Sequence, residues 1–171
     1  MLFFAHPTAQ SMVVGSILAL LGEGLRSWGV AYAGSLTRVT GSVGAPSVMM
    51  AGPYAHLRNP LYAGNILLYA GVALASNALS PWLPLTAVVV FGIQYAIIVS
   101  LEEEFLEKEF GTGYLEYKKN VPGFVPRMSA YRTGAQSGQS PNWKEALQSE
   151  TRTLQAIALV YVVLIVLWIR G

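Results

Sequence analysis

The chain of 171 residues is 53% hydrophobic and only 12% charged, with a net charge of +2. Soluble domains carry about 25% charged residues, so this composition indicates a single integral membrane domain. The small net charge and the scattered basic residues argue against nucleic-acid binding. Cysteine and aspartate are absent, which excludes disulfides, thiolate chemistry and a Ser-His-Asp triad, and the two histidines alone cannot build a zinc site.

Four apolar segments are long enough, or nearly so, to cross a bilayer, which takes about 17–25 residues. The predicted spans are residues 8–25, 60–76, 80–101 and 153–169. Small residues in the first span, among them Gly15, Gly22 and Gly24, permit close contact between helices. The short, uncharged connection at residues 77–80 predicts that the second and third helices form a tight antiparallel hairpin.

The predicted fold class is therefore all-α, an integral membrane bundle of about four transmembrane helices. Residues 1–132 are expected to form the membrane core, and residues 133–141 a flexible linker that is rich in Gly, Ser and Gln. Residues 142–171 are expected to form an amphipathic helix that leads into the last span. Asn142 and Glu145 match an N-cap with Glu at the N3 position.

The basic residues predict the orientation of the helices in the membrane. Lys and Arg concentrate in cytoplasmic loops near helix ends. With four spans, ten of the eleven basic residues fall in the two loops on one side, and only Arg170 lies on the other. We therefore expect a protein of the inner membrane whose two loops face the cytoplasm and whose termini lie outside.

A polar block precedes the second predicted helix, where Pro60 suits the first helical turn. Arg58 and Asn59 stand immediately before it. Free N–H groups at a helix N-terminus favour anions, so this strip can hold a carboxylate or a phosphate. The alternative is an interfacial Arg and Tyr that only anchor the helix end, and this block by itself favours that alternative.

An acidic run, Glu102, Glu103 and Glu104, follows the third predicted span. The helix is expected to continue through this run, to stop at Gly111 and to be followed by an ordered loop. Acidic residues are disfavoured at the C-terminal end of a helix dipole, and three at a cytoplasmic boundary lack the usual basic bias. Glu102 and Glu103 lie closest to the membrane and are predicted to bind a cation. That cation is a ligand ammonium or one of three arginines, Arg26, Arg38 or Arg58. A solvated helix exit explains the acidic run equally well.

Taken in order, the two blocks resemble the superfamily of isoprenylcysteine carboxyl methyltransferases and phospholipid methyltransferases. The family pattern G-x-Y…R-H-P-x-Y is matched by Gly52, Tyr54, Arg58, Pro60 and Tyr62, with Asn59 in the histidine position. A Glu-Glu pair, F-G-x-x-Y-x-x-Y and a V-P…P tail are matched by Glu102, Glu103, Phe110, Gly111, Tyr114, Tyr117, Val121, Pro122 and Pro126. The resemblance covers about residues 47–126.

The resemblance implies a methyltransferase that uses S-adenosylmethionine in a cytoplasmic pocket between membrane helices, without a Rossmann sheet. Its acceptor would be a membrane lipid or a small lipophilic molecule. The residues it implies for cofactor contact are Ser47, Val48, Met49, Met50, Tyr54, Asn59, Pro60, Leu61, Tyr62, Glu102 and Glu103. Arg58 and Glu102 are candidates for positioning, and no catalytic residue or metal ligand is assigned. Asn59 can form hydrogen bonds but cannot titrate, so we expect this position to orient the cofactor rather than to shuttle protons.

Two other functions stay open. A non-catalytic membrane binding or transport protein on the same scaffold would pair the acidic run internally with an arginine. An interaction subunit would dock through the amphipathic helix of residues 143–152. The sequence gives neither the methyl acceptor nor the oligomeric state, and it allows a homo-oligomer.

Overall fold

The computed structural model describes residues 4–34 and 48–170, and within these ranges its regular structure is helical, with no strand. The four long helices are α1 (Ala9–Ala33), α2 (Pro60–Ser76), α3 (Trp82–Asn120) and α4 (Trp143–Arg170). Two short 3-10 helices, Gly52–Ala55 and Gly134–Gln136, lie in the connections. The predicted all-α fold class is confirmed.

Three of these helices, α1, α3 and α4, are long and apolar enough to cross a membrane. Helix α2 has 17 residues, at the lower limit of the roughly 17–25 residues that a span needs. Helix α3 has 39 residues, far more than a bilayer requires. Its charged part begins at Glu102, so residues 82–101 are the apolar part that is able to cross a membrane.

Two helices are longer than the sequence predicted. Helix α4 is continuous from Trp143 to Arg170, so the amphipathic helix and the last span are one helix, because no Gly or Pro interrupts them. The predicted cap is present, since the Glu145 N–H donates to the Asn142 side chain over 3.2 Å. Helix α1 likewise continues beyond residue 25 to Ala33.

Helix α3 is interrupted at Gly111, where φ is 54° and ψ is −130°. Glycine adopts a positive φ without the steric penalty that a Cβ imposes. The sequence predicted that the helix ends here, followed by an ordered loop. The structure has the break, but the chain then returns to helix and continues to Asn120.

The described residues divide into two compact units. The apolar unit comprises the described residues of Met1–Gly24, Gly64–Gln94 and Glu150–Gly171. The polar unit comprises the described residues of Leu25–Ala63 and Tyr95–Ser149.

Close backbone contact between α1 and α2 builds the apolar unit. A Cβ placed on Gly15, Gly22 or Gly71 would overlap the backbone of the facing helix. Gly24 was predicted with the first two, but a Cβ placed there would meet open space. Small residues thus allow the helices to approach closely, at Gly15 and Gly22 and not at Gly24.

The connection between α2 and α3 is a tight turn. Asn77 and Leu79 adopt positive φ values of 48° and 47°. On the helices that leave this turn, the rings of Tyr69 and Phe91 stack with centroids 4.4 Å apart. This is the contact expected of the predicted hairpin.

The segment at residues 133–141 is folded in the polar unit. The sequence predicted a flexible linker here, whereas the structure has the 3-10 helix Gly134–Gln136. Thr133 and Gln136 form a capping box at its start, in which Oε1 of Gln136 accepts the N–H of Thr133 over 3.3 Å.

Candidate functional site

All described residues that were predicted to contact a cofactor belong to the polar unit. Ser47 and Arg38 lie outside the described residues. Two side chains near the start of α2 donate hydrogen bonds to the acidic run of α3: Arg58 to Glu103 and Tyr62 to Glu102. The two sequence blocks are therefore adjacent in the fold.

Glu102 is exposed and accepts a short hydrogen bond from Tyr62. The Tyr62 hydroxyl lies 2.6 Å from Oε1 of Glu102, and the Tyr62 ring stacks on Tyr95 with centroids 4.8 Å apart. Tyr95 is buried, so the stack fixes Tyr62 and, through its hydroxyl, the carboxylate. A carboxylate accepts several hydrogen bonds, so Glu102 retains capacity for a ligand ammonium or hydroxyl.

Glu103, the next residue of α3, is buried with 8% of its surface exposed. Its Oε1 lies 2.8 Å from Nη2 of Arg58, and its Oε2 lies 2.9 Å from Nζ of Lys118. Burial alone would raise the pKa of Glu103, but the hydrogen bonds from Lys118 and Arg58 outweigh it and hold the pKa below its ordinary value. Both carboxylate oxygens are thus bound within the protein, and Arg58 is one of the cations that the acidic run holds.

Arg58 also closes the C-terminal end of α3. Its Nη1 donates to the carbonyl oxygen of Lys118 over 3.0 Å and to that of Val121, while its Nε donates to Glu103. Carbonyl groups at a helix C-terminus lack intrahelical donors, and a cation there opposes the negative end of the dipole. The sequence predicted that Arg58 helps to hold an anionic ligand, whereas its guanidinium here binds groups of the protein itself.

Main-chain pairing fixes the start of α2. The N–H of Arg58 donates to the carbonyl of Pro122 over 2.9 Å. The backbone N–H and the side-chain amide of Asn59 both donate to the carbonyl of Gly123, each over 3.2 Å. The segment after α3 that carries the V-P…P motif is therefore hydrogen-bonded to Arg58 and Asn59, immediately before α2.

Tyr54 lies in the first 3-10 helix, just before α2. That helix begins at Gly52, where φ is 59° and a Cβ would overlap the Tyr32 ring. The Tyr54 carbonyl accepts a hydrogen bond of 2.7 Å from the Tyr117 hydroxyl. Burial, followed by the negative charge of Glu102, raises the pKa of Tyr54 well above its ordinary value. The Tyr54 phenol is therefore neutral at physiological pH.

The main chain of residues 48–51 is bound by two glutamines, Gln136 and Gln139. Met50 is buried among aromatic residues of the last part of α3. Sequence reasoning missed both glutamines. The spacing of Thr133 and Gln136 is a capping-box pattern that marks the turn, but no pattern in the sequence marks Gln139.

The remaining residues predicted to contact the cofactor, Val48, Met49, Pro60 and Leu61, lie in surroundings that differ from those of Tyr62 and Glu102. Pro60 is fully buried, and Leu61 packs against the buried cluster formed by the end of α1 and the start of α4. Successive helical residues point about 100° apart, since a turn takes about 3.6 residues, so Leu61 does not share the direction of Tyr62. Val48 lies at the edge of the Met50 cluster, and Met49 is half-buried.

His56 has a fixed hydrogen bond in the same loop. Its Nδ1 lies 2.9 Å from the carbonyl oxygen of Arg127, and because a carbonyl only accepts, Nδ1 is the donor. Its ring centroid lies 6.2 Å from that of Trp28. Within the ranges that the structure describes, no three His, Cys, Asp or Glu side chains gather to hold a metal ion.

Two relatives align with about half of the chain. The cobalt-zinc-cadmium resistance protein CzcN of Cupriavidus metallidurans is 34% identical over 88 residues, which are 50% of this chain and 38% of CzcN. The nickel-cobalt-cadmium resistance protein NccN of Alcaligenes xylosoxydans xylosoxydans is 27% identical over 82 residues, 48% of this chain and 37% of NccN. The aligned part of the chain thus spans less than two-fifths of each relative. No solved structure matches the chain significantly.

A family model described as phospholipid methyltransferase matches residues 10–113. This range begins in α1, earlier than the motif resemblance at about residues 47–126, and it ends before Tyr114. It includes both the loop before α2 and the acidic run, and it covers more than half of the chain. The chain belongs to the phospholipid methyltransferase family, within the superfamily of isoprenylcysteine and phospholipid methyltransferases.

Proposed function

We propose that this protein transfers a methyl group from S-adenosylmethionine to a lipid or a small lipophilic acceptor at the cytoplasmic face of the membrane. Family membership supports methyl transfer by a membrane protein. One observation supports a ligand site in particular: Tyr62 holds Glu102 in place while the carboxylate is exposed. A carboxylate that served only to bind another helix would be enclosed by cations, as Glu103 is.

The side chains around Glu102 suit the parts of S-adenosylmethionine. The carboxylate of Glu102 is suited to an ammonium group or to ribose hydroxyls. The first-turn N–H groups of α2 are suited to a carboxylate, and the rings of Tyr54 and Tyr62 are suited to adenine. Arg58 and Glu103 receive a positioning role in this proposal, because their charged groups bind each other and hold the end of α3 against the loop.

S-adenosylmethionine, when bound, supplies a methyl group that its sulfonium has already activated. The protein then contributes positioning and the exclusion of water. Asn59 cannot titrate, and burial keeps Tyr54 neutral, so neither side chain accepts a proton at neutral pH. Asn59 and Tyr54 are therefore given positioning roles in this proposal, and neither is proposed as a general base.

A second function is favoured by one observation, the internal pairing of Glu103 with Arg58. A non-catalytic membrane binding or transport protein that kept the family scaffold would form this pair. The two relatives are named as metal resistance proteins, and those names state no reaction. Under this alternative, membranes that contain the protein would incorporate no methyl label.

Methyl transfer is tested in inner-membrane vesicles that contain the protein and receive S-adenosylmethionine labelled in its methyl group. We expect label in the organic extract that vesicles without the protein lack. Glu102→Gln is expected to lower the initial rate about tenfold or more, because a hydrogen bond to a charged group contributes about 1.5–3 kcal/mol and about 1.4 kcal/mol corresponds to a factor of ten.

Glu104→Gln is the matched control, because Glu104 is exposed and pairs only with the exposed Lys108 among the contacts described. This variant is expected to keep the wild-type rate. If folded wild-type protein transfers no label above the background of empty vesicles, the second function is supported instead.

The cytoplasmic placement of the polar unit is part of the proposal, and the absence of cysteine makes it testable. Ala130 is exposed in the loop between α3 and α4. Cysteine introduced by Ala130→Cys should react with a membrane-impermeant maleimide in inside-out vesicles and not in intact cells. The reverse labelling pattern would contradict the proposed orientation.

A further inference from the structure

Two side chains from the segment after α3 bind the main chain just before the first 3-10 helix. Oε1 of Gln139 accepts the N–H groups of Met50 and Ala51 over 2.9 and 3.0 Å. Nε2 of Gln139 donates to the carbonyl of Val48 over 2.9 Å. Nε2 of Gln136 donates to the carbonyl of Met50 over 2.7 Å. We call Gln136 and Gln139 the glutamine clamp.

Each glutamine binds main-chain groups through its side-chain amide. A primary amide carries both a donor and an acceptor, so Gln139 alone binds two N–H groups and one carbonyl of this stretch. The partners also fix the orientation of the Gln139 amide, because two N–H groups require its oxygen and a carbonyl requires its nitrogen. Without these side chains, the N–H groups of Met50 and Ala51 and the carbonyl of Met50 would lose these hydrogen-bond partners, which is unfavourable wherever water does not replace them.

The clamp is itself held in place by its own segment. Nε2 of Gln136 also donates to the carbonyl of Tyr131 over 2.8 Å, and its Oε1 accepts the N–H of Thr133 over 3.3 Å. The N–H of Tyr131 donates in turn to the carbonyl of Ala55 over 2.9 Å. The segment that carries the clamp is thus fastened to the same loop at a second point, which limits how far the glutamines can move.

We propose that Gln136 and Gln139 are positioning residues, which hold residues 48–51 in the geometry that binds S-adenosylmethionine. The proposal rests on the function proposed above and deepens it in two ways. Part of the site is organised by a segment beyond residue 113, outside the matched family range. The N–H groups of Met50 and Ala51 bind Gln139, so this stretch contacts the cofactor through its other groups.

The test compares Gln139→Ala with Gln148→Ala, which removes an exposed glutamine of α4. The first measurement is amide hydrogen exchange of Met50 and Ala51 in the ligand-free, detergent-solubilised chain. We expect exchange at least tenfold faster in Gln139→Ala and unchanged exchange in Gln148→Ala. Added S-adenosylmethionine should slow the exchange again in Gln139→Ala.

The second measurement is the Kd for S-adenosylmethionine, taken well below the unfolding temperature of each variant. We expect the Kd to rise tenfold or more in Gln139→Ala and to stay at the wild-type value in Gln148→Ala. Gln139→Glu keeps the acceptor for the two N–H groups and loses the donor to Val48. Gln139→Glu should give a Kd between those of the wild type and Gln139→Ala. If Gln139→Ala does not fold, Gln139→Glu takes its place in the hydrogen-exchange and the Kd measurements.

The outcomes separate this inference from the proposed function. If Gln139→Ala lowers the unfolding temperature but leaves the Kd unchanged, the clamp only stabilises the fold and the inference is overturned. Unchanged hydrogen exchange in the ligand-free variant overturns it as well. If the wild-type chain does not bind S-adenosylmethionine although its exchange depends on Gln139, the proposed function fails, and the cofactor role of the clamp fails with it.

Discussion

The apolar and polar units are built from different kinds of contact. In the apolar unit, Gly15 and Gly71 bring the backbones of α1 and α2 together. In the polar unit, side chains bind main-chain groups far away in the sequence, as Gln139 binds Met50 across 89 positions. The difference teaches that small residues along a helix indicate close helix packing without showing which of them takes part. A hydrogen-bonded loop, in contrast, depends on distant partners that no local sequence pattern indicates.

The largest expected effect tests the polar unit. Arg58→Ala leaves Glu103 buried without its guanidinium partner and removes the donor to the carbonyls at the end of α3. Removing one partner of a buried ion pair destabilises a protein by about 3–5 kcal/mol when the remaining charge is left uncompensated, and Lys118 still pairs with Glu103 in this variant. We expect a loss near the lower end of this range in the free energy of unfolding, measured by chemical denaturation of the purified protein in detergent.

The matched control for Arg58 is an exposed ion pair on α3, the helix that carries Glu103. Nζ of Lys108 lies 2.6 Å from Oε1 of Glu104, but the two side chains are 73% and 60% exposed. Exposed pairs contribute little to stability, so Lys108→Ala should leave the denaturation midpoint unchanged. Equal losses in Arg58→Ala and Lys108→Ala would show that burial of the network is not what stabilises the polar unit.

A smaller effect tests the apolar unit. A Cβ on Gly15 would overlap the backbone of Ala75, whereas one on Gly24 would meet nothing within 4 Å. Overpacking costs about 1–3 kcal/mol, so Gly15→Ala should lower the free energy of unfolding by this amount. Gly24→Ala should cause no loss, since alanine is the better helix former. If both variants unfold alike in detergent, the close contact of α1 with α2 is contradicted.

The smallest expected effect is a pH dependence of the polar unit. The pKa of Glu103 is lower in the folded protein than its ordinary value, so the unfolded chain binds this proton more readily. Stability from Glu103 is therefore fully present above the unfolded carboxyl pKa of about 4.3 and is lost as the pH falls through the folded pKa. Glu103→Gln should flatten the decline of stability in this acidic window, measured by denaturation at successive pH values. An unchanged decline would show that other carboxyl groups dominate it.

Much of the helical framework was predictable from local patterns. Helix α2 occupies the predicted residues Pro60–Ser76, because a proline marks its start and the apolar run its length. The break at Gly111 was also expected, since glycine tolerates the positive φ found there. The open space at Gly24 was not predictable, because residue size alone does not say which face of a helix meets its neighbour.

The candidate site was predictable only as a set of residues. The order of the motifs placed the loop before α2 and the acidic run in one predicted site and named Glu102 as the positioning candidate, but it did not show which of the two glutamates is enclosed by cations. Glu103 is buried with Arg58, while Glu102 is exposed beside Tyr62. Neighbours in a helix point about 100° apart, and only the packing around α3 decides which of them is enclosed. The hydrogen bond between Gln139 and Met50 was also not predictable, because no periodic sequence pattern connects residues 89 positions apart.

The most direct test of the proposed function is equilibrium binding of S-adenosylmethionine to the purified, detergent-solubilised chain. We predict saturable binding at one site per chain, weakened about tenfold or more by Glu102→Gln and unchanged by Glu104→Gln. No saturable binding by wild-type protein that is helical and shows the Arg58-dependent stability would contradict the proposal that the polar unit is a cofactor site.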